Sequence, residues 1–274
     1  MPDLEQINQM PVLYTLPGME EVPVRRDRVY KTVGGEDLTL DVYYPLDLLP
    51  DTTRGAVLFV HGGSQPEDVE HITQSRQYRS WSQLIAASGL IAVMFKHRTD
   101  EGYSNLPKAA NDVDDLIAYI RSQSETLHIN PDALAIWTAS SGPPAGLRTT
   151  LRDTPPYIRG IVAYYGVMSL LNRTHFTYSE EEEPLLREFS PAYHLSRQDP
   201  AKIAPLFVVK AGLDRAFLNE SIDEVVSIAS RRNIPITFMN HPTGEHGFDI
   251  FNNTVRTRAI IKATVAFLHE HLQR

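Results

Sequence analysis

The sequence predicts an α/β fold, a mostly parallel sheet with helices on both faces. Three observations carry that reading. Residues 56–60, 90–95, 133–137 and 206–210 are short, largely apolar runs, the pattern of strands covered on both sides. Segments with helical spacing stand between them. The alternation of strand and helix then holds from residue 56 to the end, with no internal repeat or linker, which argues for one domain over 1–274.

In chain order, residues 1–27 hold five acidic residues and four prolines with few periodic apolar positions. They read as an arm lying over the domain or as a free tail. Residues 29–33 and 38–44 alternate around Gly34-Gly35, a hairpin signal. The run at 56–60 leads straight into His61-Gly62-Gly63-Ser64. Residues 75–88 space Tyr78, Trp81, Leu84 and Ile85 as one helix face, and Gly89 would stop that helix. Residues 109–124 do the same with Val113, Leu116, Ile117 and Ile120. Asn130-Pro131-Asp132 is expected to turn the chain into the strand at 133–137. Gly142 and two prolines then open a helix. Strands are expected at 161–165, 206–210 and 234–240, and helices at 221–231 and 255–272. Residues 168–200 are too long for a plain connection. They carry the Glu180 to Glu183 run and the aromatics Phe176, Tyr178, Phe189 and Tyr193. The acidic run reads as a solvated loop or the first turn of a surface helix. The sharper reading makes the segment a roof over an active site.

Composition narrows the function. The net charge is -8 and there is no basic run, so nucleic acid is not an expected partner. There is no cysteine, which excludes disulfides, thiolate metal sites and a cysteine nucleophile. That absence mildly favours the cytoplasm, and residues 1–18 lack the layout of a signal peptide. No apolar run approaches the ~20 residues of a membrane span. The histidines show no metal-ligand spacing, so neither metal nor cofactor is expected.

The chemistry gathers around Thr138-Ala139-Ser140-Ser141-Gly142, between an apolar strand and a helix. A serine at a strand-to-helix turn is the setting of a nucleophile elbow, and equally of a helix N-cap. Serine acyl transfer also needs a base, a group to orient it and donors for the oxyanion. His61-Gly62-Gly63 follows a strand, so its glycines can present backbone N–H groups, although a Gly-Gly pair also makes an ordinary turn. The Ser141 N–H would be a further donor. Asp214 stands just past a strand end, the edge where open α/β sheets build sites, and also where a turn former stands. His246, set in Gly244-Glu245-His246-Gly247 after the last strand, is the first choice of base. His241 is its rival, five residues earlier and without a flanking glycine. The order Ser140, Asp214, His246, with the glycine loop upstream and every member at a strand end, is a combination chance rarely makes.

These residues make the sequence resemble the α/β-hydrolases, and within them the carboxylesterases related to hormone-sensitive lipase and the dienelactone-hydrolase-like esterases. The resemblance rests on His61-Gly62-Gly63, the elbow at Ser140, Gly212 with Asp214, and Gly244 to Gly247, and it spans roughly residues 30–272. It implies an eight-stranded, mostly parallel sheet with an antiparallel start and a cofactor-free serine hydrolase. On that pattern Ser140 attacks, His246 shuttles the proton and Asp214 orients His246. The N–H groups of Gly62, Gly63 and Ser141 hold the oxyanion. Thr138 and Ser64 stand where the family has glycine, which bears on substrate range and catalytic strength more than on fold. Arg98 and Asp112 are expected to form a bracing ion pair. The expected partner is a small-molecule ester, probed first with short acyl groups. A lactone, arylformamide or peptide, or a silent ligand-binding role, stays open, as does a homo-oligomer.

Overall fold

Two glycines start the sheet. The computed structural model describes residues 9–63, 65–66, 72–99 and 101–273. Strand β1 (Val24–Val33) turns back into β2 (Glu36–Tyr43) through Gly34 and Gly35, at φ 63° and 86°. Two successive left-handed residues are what a type I′ hairpin turn requires. The chain then runs through β3 (Arg54–Val60), α1 (Arg76–Ala87), β4 (Ile91–Phe95), α2 (Leu106–Ser122) and a single turn, α3 (Ser124–Leu127). Next come β5 (Ile129–Ala139), α4 (Pro143–Asp153), β6 (Ile158–Tyr164), α5 (Glu183–Glu188) and α6 (Pro191–Arg197). It closes with β7 (Leu206–Ala211), α7 (Ala216–Arg232), β8 (Ile236–His241), the short α8 (Phe248–Phe251) and α9 (Val255–Leu272).

The eight strands lie in the order β1-β2-β4-β3-β5-β6-β7-β8. β1 and β2 pair antiparallel, as do β2 and β4, and every later pair is parallel. This is the mostly parallel sheet that the alternation predicted. Boundaries differ where local pattern was weakest. The 130–132 turn is absorbed into β5, which pairs with β3 through an irregular register there. α2 starts at Leu106 rather than 109 because Pro107 occupies its first turn, where a missing N–H costs nothing.

Period-2 alternation sorts the strands onto two cores. Ala56, Leu58 and Val60 belong to one apolar cluster with Val113, Leu116 and Ile120 of α2, Leu147 of α4 and Val225 of α7. Val57 and Phe59 face the other way, onto Trp81 and Leu84 of α1 and Ile260, Ile261 and Leu268 of α9. On that side Trp81, Trp137 and Tyr164 pack ring to ring, with centroids 5.3–5.6 Å apart, directly behind the end of β5. Residues 9–23 lie along the same face. Val12, Met19 and Val22 are buried, and the Val12 N–H donates to Ser80 Oγ at 2.8 Å.

The expected Arg98–Asp112 pair is present and larger than expected. Asp112 is fully buried and accepts two guanidinium bonds from Arg98 at 2.8 Å and an ammonium bond from Lys31 at 2.6 Å. It thereby ties β1, the segment after β4 and α2 together. Burial pushes the Asp112 carboxyl up, but the hydrogen bonds from Arg98 and Lys31 outweigh it and hold the group below its ordinary value. The stabilisation is therefore complete above the carboxyl's unfolded pKa and is lost as pH falls through the folded value. Asp112→Asn should cost about 3 kcal/mol in urea denaturation at pH 7. The low end of the range for broken buried pairs applies because Arg98 and Lys31 keep 27% and 17% of their side chains in water. The gap to wild type should close as the pH is taken below about 4.

Candidate active site

The elbow begins with a strand that ends abruptly. Thr138 is fully buried and still in the ladder, paired with Val60 and Ala163, so a β-branched residue suits it there better than glycine would. The turn itself starts at Ser140, whose φ is 56°, a region few non-glycine residues occupy. Its N–H donates to the Tyr164 carbonyl at 3.2 Å, and its carbonyl accepts from the Val167 N–H at 2.8 Å. Crowding explains the glycines around it. A Cβ on Gly142 would stand 2.4 Å from Thr138 Oγ1, and one on Gly62 would stand 2.8 Å from Ser140 Cβ and 2.9 Å from the Ala139 carbonyl oxygen.

His246 sits in the loop between β8 and α8, Asp214 in the turn between β7 and α7. His246 Nδ1 lies 2.6 Å from Asp214 Oδ2, and its Nε2 lies 3.0 Å from Ser140 Oγ. With Nδ1–H donating to the carboxylate, Nε2 is left to accept the serine proton. The Asp214 side chain is 2% exposed, and its other oxygen accepts from the Arg215 N–H at 2.8 Å. His241 is brought elsewhere. Its ring is buried, with Nε2 near the Thr254 and Thr257 hydroxyls at 3.2 and 3.1 Å. Burial, then Arg256, keeps it below its ordinary pKa. Gly244 is required beside it, since a Cβ there would meet the His241 ring at 2.7 Å.

The glycine loop corrects one expectation. Gly62 does not turn its N–H toward the elbow: that group donates to the hydroxyl of buried Tyr78 at 3.1 Å. Its contribution is the side chain it lacks. The Gly63 N–H does face the elbow and donates to Ser141 Oγ at 2.9 Å. Ser64 lies outside the described residues. His61 holds the loop from below. It is buried and stacks on His97 with ring centroids 3.6 Å apart. The His97 N–H reaches His61 Nε2 at 3.4 Å, so His61 Nδ1 carries the proton and donates to the Gly62 carbonyl at 2.9 Å. Burial first, then the neighbouring His97, pushes His61 well below its ordinary pKa, so the ring is neutral.

Residues behind the histidine escaped the sequence reading. The Tyr165 ring lies 4.7 Å from that of His246, and its hydroxyl donates to fully buried Asp249 at 2.5 Å. Trp81 Nε1 donates to the same carboxylate at 2.8 Å and Gln77 at 3.3 Å. The one local signal was Asp249, three residues past His246, inside the apolar run Phe248-Asp249-Ile250-Phe251. Among the described residues no group of three or more His, Asp or Glu side chains is placed to hold a metal ion, and no helix is long and apolar enough to cross a membrane.

Comparison with known proteins follows this geometry. The BD-FAE family model matches residues 40–153, a stretch that includes the glycine loop and the elbow. Dipeptidyl aminopeptidase BIII of Pseudoxanthomonas mexicana is 24% identical over 240 residues, 77% of this chain. The chain spans about a third of that relative's length, 32%. Among solved structures, the native form of Est2, a thermophilic esterase of Thermogutta terrifontis, is similar with TM-score 0.73 and 19% identity, covering 97% of this chain and 96% of its own. The butyrate-bound form gives 0.72 and 20%, over 93% and 95%. The form phosphonylated by sarin gives 0.71 and 20%, over 93% and 96%.

The elbow offers a direct test of this packing. Gly62→Ala forces a methyl against Ser140 and a backbone carbonyl that cannot yield, so the loop must shift. The variant should lose about 1–3 kcal/mol of stability in urea denaturation, the cost of overpacking a filled site. From the strand order, the elbow and these likenesses together, the chain has the α/β-hydrolase fold.

Proposed function

We propose that this protein is a serine hydrolase of carboxylic esters, acting first on short acyl groups through an acyl-enzyme. The observation that carries the reading is the unbroken relay from Ser140 Oγ to His246, 3.0 Å, and from His246 to Asp214, 2.6 Å. In this reading Ser140 Oγ attacks the ester carbonyl carbon as His246 Nε2 takes its proton. Asp214 holds the imidazole in the right tautomer and stabilises its charged form. The carbonyl electron pair moves onto oxygen and is held by the backbone N–H of Ser141, the Gly63 N–H being engaged by Ser141 Oγ at 2.9 Å. Collapse expels the alcohol, which takes the proton from His246. Water, deprotonated by the same histidine, then releases the acid. The chemistry needs no cofactor, and the partner is a small-molecule ester met in the cytoplasm. The propionate- and butyrate-bound forms of the similar esterase support the short-acyl choice. The likeness to a dipeptidyl aminopeptidase names the second reading, a peptide substrate for the same residues.

Residues 168–200 roof the site in this reading. Phe176 packs edge-on against Tyr103 and Phe217, with centroids 5.8 and 6.0 Å away. That aromatic group belongs to one apolar cluster with Val167 and Leu218, close in the chain to the elbow contact and to Asp214. The acidic run opens α5. In the turn just before it Ser179 and Glu182 bond reciprocally, each side chain accepting from the other's backbone N–H, and Glu183 pairs with Arg173 at 2.9 Å.

Hydrolysis of p-nitrophenyl acetate, butyrate and octanoate should fall by about 10⁴-fold or more in Ser140→Ala. Equal rates in both proteins would make Ser140 a helix cap and remove the proposal, and a preference for aminoacyl anilides over esters would favour the peptide reading. Phe176→Ala should raise the octanoate-to-acetate ratio of kcat/KM by about tenfold, as expected when a pocket wall is opened. An unchanged ratio would mean that the insertion roofs nothing.

A further inference from the structure

We propose that the side chain of Ser141, and not only its backbone, binds the oxyanion: Gly63 N–H donates to Ser141 Oγ, and the Ser141 O–H donates in turn to the substrate oxygen. The inference rests on the serine-hydrolase reading of the site and adds a catalytic residue to it.

The geometry is local. The Ser141 hydroxyl accepts the Gly63 N–H at 2.9 Å and, among the described residues, donates to nothing. A hydroxyl that accepts one bond still has its own proton to give. Ser141 is half-buried, next to Ser140 in the turn. The Gly63 N–H is engaged by this hydroxyl, and the backbone N–H of Ser141 belongs to the same residue. The glycine loop is pressed against the same turn, for a Cβ on Gly62 would come within 3.3 Å of the Ser141 nitrogen. An oxygen placed to accept from the Ser141 N–H is therefore within reach of the Ser141 O–H. The Gly63 N–H polarises that O–H, and a chain of two donors is stronger than its last member alone. In the step itself, the bond from Ser140 Oγ to the carbonyl carbon forms, the proton passes to His246, and the π pair settles on the carbonyl oxygen. Ser141 keeps its proton and contributes a hydrogen bond that strengthens as charge develops.

The test compares wild type, Ser141→Ala and Ser141→Cys on p-nitrophenyl acetate and on its thiono analogue, whose sulfur is a poor hydrogen-bond acceptor. Loss of the hydroxyl should lower kcat on the oxygen ester by about 100-fold with KM within twofold, the low end of the range for an oxyanion donor. The thiono rate should change far less, so the oxygen-to-thiono ratio of kcat/KM drops at least about tenfold in Ser141→Ala. Ser141→Cys fills the same space with a weak donor and should show the same drop, which a packing role would not produce. An unchanged ratio in both variants overturns the proposal. A faster oxygen ester in Ser141→Ala also overturns it, and would make the hydroxyl a plug over Gly63. Ser140→Ala keeps the failures apart. Ester hydrolysis that survives it removes the serine reading, whereas hydrolysis lost there with an unchanged ratio at position 141 removes only this inference.

Discussion

A single residue held in a left-handed conformation organises the molecule. Ser140 at φ 56° carries a cost of order 1–3 kcal/mol that the surrounding structure must offset. It does so from three sides. β5 runs into the turn without a break, its last residues locked between β3 and β6. The Val167 N–H holds the Ser140 carbonyl from the segment after β6. The Gly62 and Gly142 backbones close in where no side chain fits. The reward of this strain is geometric: the hydroxyl is raised off the sheet edge, clear of the helix that begins three residues later.

The groups that meet Ser140 are held just as firmly, and from below. His246 leans on Tyr165, Tyr165 is tied to Asp249, and Asp249 is bound by Trp81. A buried carboxylate is costly unless it is hydrogen-bonded, and here donors from three residues compensate it. The backbone carbonyl of Asp249 also accepts from the Leu13 N–H at 2.9 Å. The segment before β1 is thus fastened to the helix turn that follows the histidine. On the opposite flank the neutral His61–His97 stack supports the glycine loop.

Anchors of a third kind tie the α5 end of residues 168–200 to the helices beside it. Arg148, buried in α4, reaches Asp114 of α2 and Glu188 of α5, each at 3.1 Å, and stands over the Phe189 ring. The elbow helix therefore carries the insertion on its own side chain.

Much of this was legible in the chain itself. Apolar runs of five or six residues, separated by helical spacing, dictate a parallel sheet with helices on both faces, because no other layering buries them. Ser140, Asp214 and His246 were legible for the same reason: each stands at the end of a strand whose direction the pattern sets. The choice of His246 over His241 was not decided locally. Both follow β8, and only the fold shows one ring facing Ser140 and the other filled in against Thr254 and Thr257. Nor could the chain show that Gly62 donates to Tyr78, that Ser141 accepts from Gly63, or that Asp249 lies behind the histidine. Periodicity along a sequence reports which face a residue takes, whereas a hydrogen bond depends on atoms placed within an ångström by segments 16 to 84 residues apart. The fold class was therefore settled by the order of the amino acids, and the donors and acceptors of the site by the packing that brought those segments together.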